Sequence, residues 1–363
     1  MNHPENDPQY AGLTVNEGVA SPPVINPYLQ ARKRRQTLSP ADYVEQIRKG
    51  NITVLSQAVT LVESQNGEHQ TIAQEVIEKC LPYSGQSVRI GITGVPGAGK
   101  STSIDAFGMH LIEQRNKRLA VLAIDPSSER SKGSILGDKT RMEELSRRKE
   151  AFIRPSPSAG SLGGVARKTR ETIILCEAAG FDTIFVETVG VGQSETAVHS
   201  MVDFFLLIQL AGTGDELQGI KRGIMEMADG IVVNKADGEN IQRAQLAAAQ
   251  YRNALHLFPI PPSGWTPKVM TYSGYFKLGI REIWDMVFEY IAFTKTNGYF
   301  DERRNAQSKY WMYESINEQL RNRFYQSPAI TEILPLKEQQ VLRAEISSFA
   351  AAKQLLDLYF NQQ

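Results

Sequence analysis

The spacing of apolar residues divides this chain into a helical segment, a strand-rich middle and a second helical segment. Between residues 40 and 81 apolar positions recur every three or four residues, which predicts three amphipathic helices. Ser39 followed by Pro40 is a typical helix start, and Gly50 predicts the end of the first helix. These helices carry no candidate catalytic residues, so their apolar stripes indicate packing against a larger domain.

The middle of the chain alternates short apolar runs with helical stretches, which predicts an α/β fold with a mainly parallel sheet. The runs are nearly continuous, as is typical of strands that helices cover on both faces. The predicted strands are the run with Val88, Ile90 and Ile92 and then residues 120–124, 183–186, 204–210, 230–233 and 269–272. Ligands of such sheets bind at the carboxyl ends of the strands, so the residues that follow each run are candidates for a site.

Helical spacing returns from residue 280 onward, with an aromatic and aliphatic stripe between residues 311 and 324. Such a stripe indicates buried core or a dimer interface. Two further helices are predicted near residues 334–346 and 349–360. We therefore expect four parts: a disordered or loosely docked tail at 1–39, an N-terminal helical segment at 40–85, the α/β domain at 86–295 and a helical C-terminal extension at 296–363.

The first strand leads into the sequence GVPGAGKS at residues 94–101, and helical spacing follows it. This pattern, G-x-x-x-x-G-K-[ST], identifies a P-loop NTPase, because its glycines let backbone N–H groups converge on phosphate oxygens at the positive end of a helix. Lys100 would reach the β- and γ-phosphates, and the Ser101 hydroxyl would hold Mg²⁺. A nucleoside triphosphate is therefore the predicted ligand.

Acidic residues follow two of the other strands. Asp125 stands where a carboxylate can hold Mg²⁺ directly or through water, although an Asp before a proline is also a common turn residue. Glu187 is followed three residues later by Gly190, the pattern of a nucleotide switch in which the acid bonds a magnesium water and the glycine N–H meets the γ-phosphate. Gln193 is a candidate for orienting the attacking water, although its spacing differs from that of the glutamine in Ras.

The quartet Asn-Lys-Ala-Asp at residues 234–237 follows the fifth predicted strand and indicates the base. The Asp237 carboxylate can accept hydrogen bonds from guanine N1–H and the exocyclic amine, two donors that adenine lacks. A site built around such a pairing rejects the other base by roughly 10⁴ or more. We therefore expect GTP rather than ATP, with Asn234 and Lys235 at the base and Ser273 approaching the base edge.

Composition limits the remaining possibilities. The chain has 363 residues, and its 40 Lys and Arg balance 40 Asp and Glu, which gives no reason to expect nucleic acid or an anionic membrane as a partner. The two cysteines, Cys80 and Cys176, form no metal-binding motif and are expected to be small buried residues. No apolar stretch reaches the length of a membrane span, and the acidic, Arg-poor beginning argues against a signal or transit peptide. We expect a soluble, cytoplasmic protein.

Four segments together resemble the methylmalonyl-CoA mutase-associated GTPases: residues 91–102, 125–142, 187–195 and 212–237. The resemblance extends from about residue 40 to the carboxyl terminus. It implies a GTPase that acts as a chaperone of an adenosylcobalamin-dependent acyl-CoA mutase, gates the loading of that cofactor and protects the mutase from inactivation. Adenosylcobalamin would be bound by the partner mutase only. Members of this family are usually homodimers through a helical C-terminal extension.

The resemblance also implies roles for particular residues. The residues expected to bind nucleotide are Gly94, Gly97, Ala98, Gly99, Lys100, Ser101 and Thr102, with Gly190, Asn234, Lys235, Asp237 and Ser273. Those expected to bind magnesium or its waters are Ser101, Asp125, Asp138 and Glu187. Residues 212–222 would form a mobile loop that contacts the mutase, and we expect Lys221 to couple that contact to hydrolysis, in which Lys100, Asp138, Glu187 and Gln193 also take part. From spacing alone this loop could equally be a helix start capped by Asp215.

Two other functions stay open at this point. A metal-insertion GTPase would be expected to carry a His-rich tail or a Cys/His motif, and the sequence has neither. An ATP-dependent kinase linked to amino-acid transport is the second alternative, since the family long carried that label. The Asn-Lys-Ala-Asp sequence at residues 234–237, which indicates guanine, argues against it. The sequence does not distinguish methylmalonyl-CoA mutase from isobutyryl-CoA mutase or a related enzyme as the client.

Overall fold

The computed structural model describes residues 38–125, 141–157, 162–188, 194–211 and 222–361. Within these residues seven strands form one sheet whose neighbours all run parallel. The strands are β1 (Val88–Gly94), β2 (Leu119–Asp125), β3 (Ala151–Pro157), β4 (Thr183–Thr188), β5 (Phe204–Gln209), β6 (Gly230–Val233) and β7 (Lys268–Thr271). Their spatial order is β3-β2-β4-β1-β5-β6-β7. The predicted α/β fold with a parallel sheet is confirmed.

The strand β1 lies in the middle of the sheet between β4 and β5. Val88 is in register with Thr183 on one side, and Ile90 with Phe204 on the other. The carboxyl ends of these strands therefore meet at one edge, which is where ligands of open parallel sheets bind. The segments after β4 and β1 are therefore neighbours, and the segment after β6 lies on the same edge one strand further along, beyond β5.

Helices surround the sheet and extend the chain at both ends. They are α1 (Pro40–Arg48), α2 (Ile52–Glu63), α3 (Gly67–Cys80), α4 (Lys100–Arg115), α5 (Leu162–Ala178), α6 (Ser194–His199), α7 (Arg222–Met227), α8 (Ile241–Leu255), α9 (Ile280–Thr296), α10 (Tyr299–Gln326), α11 (Pro328–Leu342) and α12 (Ser348–Phe360). The predicted start of α1 is confirmed, since the Ser39 side chain accepts a hydrogen bond from the Asp42 N–H at 3.2 Å. No helix among the described residues is long and apolar enough to cross a membrane.

The sequence did not predict β3, which forms an edge of the sheet. Pro155 and Pro157 interrupt its apolar pattern, and proline is tolerated in sheets mainly at such edges. The edge is covered by α2, because the Arg154 guanidinium on β3 bonds the Glu63 carboxylate and lies 3.2 Å from Thr60 Oγ1. The N-terminal helices thereby shield an edge that would otherwise be open to another strand.

One core cluster joins β1 and β5 to α4 and α9. Phe107 of α4 stacks on Tyr272 with ring centroids 5.5 Å apart and meets Trp284 of α9 edge-on at 6.4 Å. Cys80 and Cys176 are both fully buried, as predicted, and burial raises the pKa of the Cys80 thiol to about 11. This core fixes α4, whose first residues belong to the phosphate loop.

The long helix α10 is anchored to the sheet at the end opposite the phosphate loop. Arg304 binds the Asp203 carboxylate at 2.7 Å, and the Trp311 indole N–H donates to Ser200 O at 3.1 Å. Arg303 binds the buried Asp229 carboxylate at 3.2 Å. Ser200 and Asp203 lie in the connection between α6 and β5, so α10 holds that connection in place.

His199, at the end of α6, is expected to make stability depend on pH. Its ring meets Phe205 edge-on at 5.5 Å, and burial, with a smaller contribution from Arg303, lowers its pKa from 6.5 to about 3. Above pH 6.5 the ring is neutral in both states, so its contribution is intact. Below pH 6.5 the unfolded chain takes up the proton first, and stability falls by up to about 1.4 kcal/mol per pH unit as the pH approaches the folded pKa.

Urea unfolding of the wild type and the His199→Phe variant at pH 7 and pH 5 measures this effect. Phenylalanine keeps the ring contact with Phe205 and has no proton to gain, so the variant should lose less stability on acidification. An equal loss in both proteins would contradict the assignment.

Candidate functional site

The phosphate-loop sequence lies between the end of β1 and the start of α4. Gly97 and Gly99 have φ angles of 77° and 82°, which non-glycine residues rarely adopt. A Cβ on Gly94 would lie 2.2 Å from the Ile208 carbonyl oxygen of β5, and a Cβ on Gly99 would lie 2.7 Å from Asn234 Nδ2. The motif therefore requires glycine at these positions, because Gly97 and Gly99 have positive φ angles and because Gly94 and Gly99 lie close to β5 and to Asn234.

Lys100, the first residue of α4, folds back over this loop. Its ammonium group donates to Gly94 O at 2.9 Å and to Val95 O at 3.4 Å. Burial lowers its pKa, while the negative charges of Glu187 and Glu195 act in the opposite direction. The cation is thus held at the loop by carbonyl oxygens and two nearby carboxylates.

A cavity of about 760 Å³ opens beside the loop at the carboxyl edge of the sheet. Its lining comprises Pro96, Gly97, Gly99, Lys100, Ser101, Thr102, Asp105, Ala106, Arg141, Glu143, Glu144, Glu187, Gly274, Tyr275 and Lys277. The predicted residues Gly97, Gly99, Lys100, Ser101, Thr102 and Glu187 are therefore brought together around one space. Its volume falls within the range of known small-ligand pockets.

Two acids supply negative charge close to Lys100. Glu187 lies in β4 next to Ile92 of β1 in register and is buried. Glu195, in the first turn of α6, is also buried. Glu195 lies within one of the four segments that resemble the family, but no role was predicted for it. The one available signal was its position eight residues after the switch acid.

Several predicted site residues lie outside the described part of the chain. Asp138, Gly190, Gln193 and Lys221 fall in this category, together with most of the predicted mobile loop. Asp125 ends β2 at the same sheet edge, and its backbone alone is described. For all of these residues the predicted roles stay predictions.

Asn234 joins the Asn-Lys-Ala-Asp segment at residues 234–237 to the phosphate loop. Its Nδ2 donates to Ala98 O at 2.7 Å, and its Oδ1 accepts from the N–H of Lys235 at 2.7 Å and from the N–H of Gly274 at 3.0 Å. The Asn234 side chain is buried, and both its nitrogen and its oxygen have hydrogen-bond partners. A single amide therefore holds three loops in register: the phosphate loop, the segment after β6 and the segment after β7.

Asp237 is oriented by Ser273 from the neighbouring loop. Ser273 Oγ donates to Asp237 Oδ2 at 2.6 Å and accepts from the Phe276 N–H at 3.2 Å. The serine is fully buried, whereas Asp237 is half-buried and has carboxylate capacity left for a ligand. Lys235, between Asn234 and Asp237, is exposed and adopts a φ of 60°. The structure thus brings the predicted base residue Asp237 and the predicted serine together.

The oxygen donors near the phosphate loop fit magnesium. Mg²⁺ takes oxygen ligands, keeps several waters and needs only one or two protein groups in nucleotide sites. The Ser101 hydroxyl and the Glu187 carboxylate line the same cavity. Among the described residues no cluster of three or more His, Cys, Asp or Glu side chains could hold a metal by itself. The donor set is therefore consistent with a metal held jointly with phosphate oxygens.

Comparison with known proteins identifies relatives across most of the chain. A family model described as "Methylmalonyl Co-A mutase-associated GTPase MeaB" matches residues 55–329. The GTPase ArgK of Escherichia coli is 47% identical over 285 residues, which are 78% of this chain and 86% of that protein. The mouse protein named methylmalonic aciduria type A homolog, mitochondrial, is 46% identical over 321 residues, 86% of this chain and 77% of its own.

A solved structure is similar over nearly the whole chain. The crystal structure of a protein named LAO/AO transport system kinase superposes with a TM-score of 0.71 at 37% identity. The match covers 89% of this chain and 98% of the other. The nucleotide-binding fold is therefore shared by relatives with different names.

Proposed function

Because the chain belongs to the methylmalonyl-CoA mutase-associated GTPase family, we propose that it binds GTP in the cavity beside Lys100 and hydrolyses it to GDP and phosphate. The observation that carries the proposal is the 2.7 Å hydrogen bond from Asn234 Nδ2 to Ala98 O. This bond holds residues 234–237, the proposed guanine site, next to the phosphate loop. A phosphate site and a guanine site in fixed register fit one nucleotide.

Each part of the site then has a chemical role. Backbone N–H groups of residues 97–102 would bind phosphate oxygens at the N-terminus of α4, and Lys100 would exchange its carbonyl partners for the β- and γ-phosphates. Asp237 would accept from the guanine N–H groups, with Ser273 fixing its carboxylate. Lys235 and Gly190 complete the proposed nucleotide contacts.

Magnesium would be held by Ser101 and, directly or through water, by Glu187, Asp125 and Asp138. When bound, it neutralises the charge that develops on the phosphate oxygens during in-line attack by water. Gln193 is the proposed group for orienting that water. Positioning and charge neutralisation supply nearly all the catalysis in this class of reaction, so an incomplete water-positioning set gives slow turnover.

We propose an adenosylcobalamin-dependent acyl-CoA mutase, methylmalonyl-CoA mutase first, as the client of a chaperone that uses this GTPase cycle to gate cofactor loading and protect the mutase. The family description and the name of the mouse relative support it. The contact would involve residues 212–222, with Lys221 as the coupling residue.

A homodimer through residues 296–363 is part of the proposal. An apolar groove of about 440 Å³ between α10, α11 and α12 includes Phe324, Leu355 and Tyr359, and the nearby Leu320, Leu356 and Phe360 are exposed. Exposed apolar surface of this kind marks interaction sites. Sedimentation equilibrium of the full chain measures its oligomeric state.

Hydrolysis of GTP and ATP by the purified protein, with and without methylmalonyl-CoA mutase from the same cell, tests the function. We expect slow GTP-selective turnover that rises on adding the mutase, by up to about 10³-fold if the partner supplies a missing group. GTP selectivity without any response to the mutase would contradict the proposed client and leave the proposed GTPase activity standing. Preference for ATP would overturn the base assignment and favour a kinase.

A further inference from the structure

One ion pair bridges the two walls of the cavity. Lys277 Nζ, on the loop between β7 and α9, lies 2.8 and 2.7 Å from the two carboxylate oxygens of Glu144. Both residues line the cavity, and both side chains are 50% exposed. The pair is therefore at the rim of the cavity, between ligand space and solvent.

Glu144 belongs to a short segment that is firmly attached to the body of the protein. We call this segment, residues 141–147, the arch. Met142 and Leu145 are fully buried in the core, and the Leu145 N–H donates to Asp105 Oδ1 of α4 at 2.8 Å. A Cβ on Gly108 of α4 would lie 2.9 Å from Leu145 Cδ1, so the arch packs directly on the helix.

Lys277 is held equally firmly on the opposite wall. Ser273 and Leu278 exchange two backbone hydrogen bonds of 3.0 Å, which close a tight loop over residues 274–277. Lys277 adopts a φ of 56° in this loop, a conformation that favours glycine and costs other residues free energy. The backbone of this loop therefore accommodates glycine at position 277 without strain.

We propose that the Lys277–Glu144 pair retains bound nucleotide by tying the β7–α9 loop to the arch across the rim of the cavity. This inference rests on the proposed function. A nucleotide that spans from Lys100 to Asp237 runs along the wall formed by the β7–α9 loop, because that loop also carries Ser273. Separation of the two walls widens the exit from the cavity, so breaking the pair speeds release without touching the phosphate loop or the base contacts.

Release of a fluorescent GDP derivative from the full chain tests this inference. Exposed ion pairs contribute little, so Lys277→Gly and Glu144→Gln should each speed GDP release by about twofold to fivefold, and the double variant by no more than either single one. The exchange variant, Lys277→Glu with Glu144→Lys, should return the rate toward that of the wild type. Release from the wild type should accelerate with added salt more than release from the variants, since salt screens the pair.

Lys268→Ala is the matched control. Lys268 forms a similar exposed ion pair, in which its Nζ lies 2.5 Å from the Glu289 carboxylate, and neither residue lines the cavity. Its release rate should equal that of the wild type. Lys277→Gly also separates retention from stability: glycine relieves the backbone strain, so the melting temperature should not fall although release is faster.

Unchanged release in both single variants would overturn the role of the pair, as would an exchange variant as fast as the single variants. In either case a wild type that binds GDP leaves the proposed function standing. A wild type that binds no GDP would instead overturn the proposed function and this inference with it.

Discussion

Replacing Lys100 by alanine is expected to lower the rate of GTP hydrolysis by about 10³-fold or more. The ammonium group lies over the phosphate loop, 2.9 Å from Gly94 O, and two carboxylates keep positive charge there although burial lowers its pKa. Lys100 is the only cationic residue among the phosphate-loop residues 94–102, all of which the structure describes. Single-turnover hydrolysis with saturating protein measures the chemical step apart from weakened binding.

Lys117→Ala is a suitable control for this prediction. Lys117 follows the far end of α4 and pairs with Asp182 at 3.5 Å, so the variant removes one lysine charge without reaching the cavity. Its hydrolysis rate should match that of the wild type. Lys100→Arg tests geometry at constant charge, and we expect it to restore little activity, because a planar guanidinium does not fit a site shaped for an ammonium group. Near-normal hydrolysis by Lys100→Ala would contradict the proposed site.

The second large effect is expected at the base. Asp237→Asn should reduce the preference for GTP over xanthosine triphosphate by at least about 10³-fold. Ser273 Oγ donates to Asp237 Oδ2 at 2.6 Å, so the asparagine oxygen should keep that partner and turn its NH₂ group toward the base. An NH₂ group opposes the guanine amine and pairs with the carbonyl oxygen that xanthine has in its place.

Competition of unlabelled GTP, ATP and xanthosine triphosphate against a fluorescent nucleotide measures this preference. Glu239→Gln provides the control, because it makes the same chemical change two residues away at an exposed position. That variant should keep the wild-type order of affinities. An unchanged order in Asp237→Asn would show that Asp237 does not contact the base.

Local sequence patterns predicted the parts of the fold that depend on local spacing. The phosphate motif and the strands before and after it follow from glycine positions and continuous apolar runs. The edge strand β3 was not predicted, because Pro155 and Pro157 interrupt the apolar run that would indicate a strand. The helix predicted near residues 334–346 runs instead over Pro328–Leu342, since Ser327 and Pro328 start it and Pro335 is tolerated inside it.

Contacts between distant segments could not be predicted in this way. The sequence indicated that Asn234 and Gly97 belong to one site, but not that the Asn234 amide bonds Ala98 O and the Gly274 N–H together. The pair between Lys277 and Glu144 likewise joins segments 133 residues apart. No periodic pattern relates such residues, because their proximity depends on the order of strands in the sheet.

The central position of β1 has a consequence for biosynthesis. Val88 pairs with Thr183, Gly94 pairs with Ile208, and the Gly94 backbone packs against that same residue. The ribosome synthesises the chain from its N-terminus. A nascent chain that ends before residue 183 therefore contains the whole phosphate motif but neither of the strands that flank β1. The nucleotide pocket is thus encoded early and assembled late, and prematurely terminated chains should present this motif without the walls that shape it.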